Sequence, residues 1–165
     1  MFVLALALSA CATEEDLDDD TPLDVNDDDM AADEEFADSV GDGKEDSALS
    51  YVAVARLVKT AGVVCSGERI ATAVAVAKAE SGFRPQITNT VGNAHGIDRG
   101  LFQINSYWHP EVSAACALSA SCNTRAAVRI SRKATRWTEW WTWKNNKHKP
   151  FMSSARTAQA TVCAE

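Results

Sequence analysis

The sequence predicts an α+β domain, mainly helical with a small β insertion, carried behind a disordered acidic N-terminal tether. Helix-spaced apolar stripes flank a single stretch rich in Asn, Thr and Gly, the acids crowd toward the N-terminus, and four cysteines fall in the helical part. Of 165 residues, 23 are acidic and 16 basic, a formal net charge of −7. Seventeen of those acids, against the single base Lys44, lie between Glu14 and Asp46. The remainder keeps six acids and 15 bases, so a tether of about −16 precedes a domain of about +9.

Residues 1–10 form the one long apolar run, about half the roughly 20 residues a membrane-spanning helix needs. That excludes a multi-pass helical membrane protein. The run closes on Leu8-Ser9-Ala10-Cys11, reads as an export signal over 1–11, and resembles the bacterial lipobox. The resemblance implies lipidation of Cys11 and a membrane anchor. Residues 12–47 hold isolated apolar side chains among Asp, Glu, Ala and Thr, too few to offset the entropy of ordering, so a solvated spacer is expected. Its Asp triplets lack the alternate ligand spacing and central Gly of an EF-hand loop.

The domain, 48–165, is read element by element. Val54, Leu57, Val58 and Ala61 make a helical stripe over 50–61 that Gly62 stops. Ser66 is the expected cap of a second helix, with Ile70, Ala73, Val74 and Ala77 on its apolar face and Gly82 at its end. Residues 85–100 read as turns and short hairpins, and 97–105 shows short alternation suited to a small sheet. Helices are expected over 110–118, over 124–135 behind Asn123 as cap, and over 153–163, with a Trp-rich turn at 137–143. The spacing of Trp137, Trp140, Trp141 and Trp143 places most of them in the core, with one bordering a cleft.

An even set of cysteines, Cys65, Cys116, Cys122 and Cys163, without a CxxC pair or zinc spacing, suits disulfides in an oxidising compartment. Three pairings are open; the preferred one joins Cys116 to Cys122 and Cys65 to Cys163. His95, His109 and His148 share no metal-ligand spacing, so neither metal nor cofactor is expected. The basic residues Arg129, Arg132, Lys133 and Arg136 come with no nucleic-acid motif. An exported domain facing an anionic wall polymer accounts for that charge.

Glycosidic cleavage needs a carboxyl group kept protonated near neutral pH, and commonly a second, ionised one. The domain offers Glu68, Glu80, Asp98, Glu111, Glu139 and Glu165. Glu80 sits at an apolar margin and at a helix C-terminus, and both raise its pKa. Asp98 lies in a polar segment beside Arg99, a setting for the charged partner.

Glu80-Ser81-Gly82-Phe83, followed by Asp98-Arg99-Gly100-Leu101-Phe102-Gln103-Ile104-Asn105-Ser106-Tyr107-Trp108, resembles the lysozyme superfamily. It is similar both to animal-type lysozymes and to bacterial soluble lytic transglycosylases. Arg99 stands where the animal type has Tyr, and the Ala-x-x-Ala-Tyr-Asn-x-Gly motif of many transglycosylases is absent after residue 110. The resemblance implies a lysozyme-like fold, with Glu80 as general acid and Asp98 as second carboxylate. It also implies that Gln103 and Asn105 line the sugar cleft and that Trp108 stacks on a sugar ring. The expected function is cleavage of the MurNAc-β-1,4-GlcNAc bond of peptidoglycan strands, as a lytic transglycosylase or alternatively as a hydrolytic muramidase. A non-catalytic peptidoglycan-binding lipoprotein is the third possibility. The expected form is a monomer in the extracytoplasmic cell envelope, with no nucleic-acid partner.

Overall fold

The computed structural model describes residues 47–90 and 95–165, so the expected signal segment with Cys11, and the expected tether up to 46, lie outside the described residues. The described part is α+β and mainly helical, in the order α1 (Tyr51–Thr60), α2 (Arg69–Ser81), β1 (Thr88–Asn89), β2 (Asp98–Arg99), β3 (Ile104–Asn105), α3 (Ala114–Leu118), α4 (Ala120–Ile130), α5 (Trp141–Lys144), a 3-10 turn (Lys149–Phe151) and α6 (Met152–Cys163).

Helix α1 starts where its sequence dictates. The Ser50 hydroxyl accepts the Ala53 N–H at 3.1 Å, and Val54, Ala55, Leu57 and Val58 turn inward. Helix α2 is buried on more of its circumference than a stripe requires, with Ala71, Ala75 and Val76 joining Ile70, Ala73, Val74 and Ala77 in the core. It packs against α1 and α6, and both helices take part of its girth. It ends at Gly82, whose φ of +65° lets its N–H close back on Lys78 O.

The expected Ser66 cap is not used. The helix begins at Arg69, Glu68 makes no side-chain cap, and the Ala71 N–H is met by Gln159 Oε1 of α6 at 2.8 Å. A partner 88 positions away replaces the local one. Glu68 instead pairs with Arg156 at the surface.

Segment 97–105 forms a hairpin within a small sheet, as its short alternation suits. Strands β1, β2 and β3 form an antiparallel sheet in chain order, pairing Asp98 with Asn105 and Arg99 with Ile104. The reversal between β2 and β3 needs Gly100: at φ +76°, a Cβ there would lie 2.0 Å from Ala117 O and 2.5 Å from Asn123 Nδ2.

Asn123 is likewise not a helix cap. Helix α4 starts at Ala120 behind Ser119, and α3 is confined to Ala114–Leu118 behind Ser113. Asn123 lies inside α4, fully buried, and pins the hairpin. Its Oδ1 accepts from Phe102 N at 2.9 Å, and its Nδ2 donates to Arg99 O at 3.0 Å and Ala117 O at 2.8 Å. Helix α4 stops at Ile130 rather than 135, because Arg132, Lys133 and Ala134 take positive φ.

Trp137 and Trp140 are core residues, their rings 4.8 Å apart, with Trp137 stacked on Phe102 at 5.8 Å. Trp143 stacks on the buried His148 at 4.2 Å. Disulfides join Cys65 to Cys163 and Cys116 to Cys122, the preferred pairing. In the chain-entropy account, the closure spanning 98 positions stabilises by about 5 kcal/mol and that spanning 6 by about 2. No helix among the described residues is long and apolar enough to cross a membrane.

Candidate active site

The five residues that carried the sequence reading meet in one cleft of about 300 Å³: Glu80, Asp98, Gln103, Asn105 and Trp108 all line it. The Gly82 stop leaves Glu80 in the last turn of α2, at the cleft floor. Burial drives its pKa up to about 7, and the Asp98 carboxylate adds to the rise. Thr142 opposes it: the Thr142 hydroxyl donates to Glu80 Oε1.

Asp98 comes from the opposite wall. Its register partner Asn105 donates Nδ2 to Asp98 Oδ1 at 2.7 Å. Successive strand residues face opposite ways, so Arg99 directs its side chain to the other face of β2. The Asn105 amide is thus a neighbour of Asp98 that adjacency in the sequence does not reveal.

Asn105 organises this wall further. Its Nδ2 also donates to His95 O at 3.1 Å, and its Oδ1 accepts from Tyr107 N at 2.9 Å and Trp108 N at 3.4 Å. Those bonds turn the chain after β3 so that the Trp108 ring is 68% exposed on the cleft. Gln103 takes φ +48°, and its Nε2 donates to Gly100 O at 2.9 Å and Ile87 O at 3.3 Å. Both amides therefore brace the hairpin while they line the cleft.

The cleft also holds His109 and Glu139, to which the sequence reading gave no site role, and Trp140 and Trp141, two of the four tryptophans of which it expected one at a cleft. Trp141 is 63% exposed, whereas Trp137 and Trp140 are buried. A Glu-Trp-Trp-Thr run was the available signal, but four tryptophans at mixed spacings do not say which one faces out. Thr142 left no signal at all, being 62 positions from its partner. Among the described residues, no group of three or more His, Cys, Asp and Glu could hold a metal. Two carboxyl groups, one buried and shifted and one accepting an amide bond, can supply a proton and a negative charge to one bound substrate.

A family model described as a lysozyme like domain matches residues 55–142, more than half of the chain. The chain belongs to this lysozyme-like domain family. The matched stretch runs from α1 to Thr142 and takes in both carboxylates and the whole hairpin. Membership supports, at the level of the class, an enzyme that cleaves glycosidic bonds in peptidoglycan. No curated protein and no solved structure matches the chain.

Proposed function

We propose that this lysozyme-like domain cuts the MurNAc-β-1,4-GlcNAc bond of peptidoglycan with Glu80 as general acid. One observation carries the reading: a carboxyl buried at the floor of a cleft, with its pKa raised to about 7, is neutral often enough at neutral pH to donate a proton. Glu80 protonates the glycosidic oxygen as the bond to the muramyl C1 breaks, and is left as carboxylate. A group with a pKa of about 7 serves equally as base in the next step. In the transglycosylase route the muramyl 6-hydroxyl attacks C1 and returns its proton to Glu80, leaving an anhydro end.

Asp98 favours a second reading. A second carboxylate lining the cleft can stabilise the oxocarbenium-like centre while water adds, the muramidase outcome. Mass spectrometry of digested sacculi separates the two, because an anhydro-muramyl end is one water lighter. Hydrated ends alone reject the transglycosylase. Glu80→Gln should lose cleavage and still sediment with sacculi; a wild-type chain that binds but never cleaves overturns the enzyme reading.

Trp108 and Trp141 are the proposed stacking surfaces for sugar rings, being the exposed indoles of the cleft. Placement at the cell envelope through a lipid on Cys11 completes the proposal; two disulfides support an oxidising compartment. Cys11→Ala, followed by membrane fractionation and metabolic labelling with a fatty acid, tests the anchor.

A further inference from the structure

We propose that Thr142 is a positioning residue for Glu80: its hydroxyl holds Oε1 as a hydrogen-bond acceptor, so that the transferable proton rides on Oε2. This rests on Glu80 as the general acid. The geometry starts with an unusual use of a helical threonine. Thr124, Thr157 and Thr161 each donate back to the carbonyl four positions earlier in their own helices. Thr142 is the second residue of the four-residue helix α5, so position 138 lies before the helix and offers no such acceptor in a helical turn. At 7% exposure the residue is also largely closed off from water. It donates across 62 positions to Glu80 Oε1 instead.

Helix α5 is too short to hold this geometry by its own turn, and is fixed from outside. Trp140 Nε1 donates to Phe102 O at 2.8 Å, and Trp140 packs on Trp137. The Thr142 carbonyl accepts from Lys147 N at 2.8 Å, and the next residue, Trp143, stacks on His148. The hydroxyl therefore reaches Glu80 from a clamped backbone.

An O–H donor on Oε1 makes that oxygen the poorer site for the acid's single proton, which leaves Oε2 to carry it. On transfer, the Oε2–H bond breaks, the proton bonds to the glycosidic oxygen, and the C1–O electron pair goes to that oxygen. The carboxylate that remains is stabilised by the same Thr142 bond. Burial and, less strongly, Asp98 favour the neutral acid; Thr142 favours the anion chiefly through its hydroxyl and to a smaller extent through its backbone N–H, which the valine variant keeps, and the balance stands at about 7. Asp98 from β2, with Glu139 and His109 also on the cleft and His148 behind Thr142, are the other titratable groups of this environment.

The test is Thr142→Val, which keeps the shape and removes the hydroxyl, read in the chain carrying 13C at glutamate carboxyls. Glu80→Gln identifies the Glu80 signal. In Thr142→Val the midpoint should move above the wild-type value, and the falling limb of the pH–activity profile should move with it. kcat should drop about 10- to 100-fold with KM within about twofold, and Thr142→Ser should restore both readouts. An unmoved midpoint overturns the proposal, even if activity is lost, because loss alone is what a purely structural role predicts. Should the valine variant not fold, Thr142→Ala carries the same readouts. A wild-type chain that cleaves no glycan overturns the functional reading and the catalytic part of this proposal together, whatever the titration shows.

Discussion

The two walls of the cleft hold their carboxyl groups by opposite means. Glu80 stands at the end of a 13-residue helix buried on most of its surface, and desolvation is the largest influence on it. Asp98 stands in a two-residue strand, half-buried, and accepts a hydrogen bond from the amide of Asn105, its register partner on the neighbouring strand. The apolar setting turns the Glu80 carboxyl toward the neutral acid, whereas the carboxyl on the sheet wall is held by a polar partner. The helical wall rests on apolar packing against α1 and α6 with Thr142 as its polar contact to Glu80, whereas the sheet wall depends on Asn105 within it and Asn123 behind it.

Four experiments probe that contrast, the largest expected effect first. Glu80→Gln should lower kcat about 10²- to 10⁴-fold, while Asp98→Asn should cost far less under the transglycosylase route and a comparable amount under the muramidase route, both read by turbidity clearance of sacculi. The same Glu80 substitution should have a second, opposite effect on stability. A carboxyl whose folded pKa is about 7, against 4.5 when unfolded, contributes stability fully present below about 4.5 and lost as pH rises through about 7. That loss amounts to roughly 3 kcal/mol, so urea unfolding of the wild type should weaken between pH 5 and pH 8 (both on the order of those limits) and that of Glu80→Gln should weaken less.

Next comes the pin behind the sheet wall. Asn123→Ala leaves the buried Phe102 N–H without its acceptor and should cost about 1–3 kcal/mol in unfolding free energy. Activity should fall more than global stability suggests, since the hairpin carrying Asp98 loses its tie to α4. The smallest effect belongs to the coupling between the walls. Asp98→Asn removes a negative charge that raises the Glu80 pKa, so the falling limb of the pH–activity profile should shift to lower pH. A limb that stays in place would show the two carboxyls to be electrostatically independent.

Much of the helical wall was readable in one dimension, because its determinants are local. Ser50, Gly62 and Gly82 mark ends, and apolar spacing marks the buried faces of α1 and α2. The Glu80 and Asp98 stretches were readable too, as linked motifs. What escaped was set by contacts between distant residues. Gln159 caps α2 from another helix, so Ser66 was a plausible but unused choice. Asn123 has the composition of a cap and the surroundings of a core group; only the folded hairpin supplies the three partners that make burial affordable for its amide. Thr142 and Trp141 belong to a helix of four residues, shorter than any periodicity can register.

The Cys65–Cys163 bridge encloses both walls, α1 excepted, within one covalent circuit. A protease that nicks any exposed turn inside that circuit converts one strand into two without releasing either. The nicked molecule keeps its mass, apart from one added water, on a non-reducing gel and separates into fragments only when thiol is added. For a protein whose proposed workplace is the cell envelope, damage of that kind need not disperse the cleft.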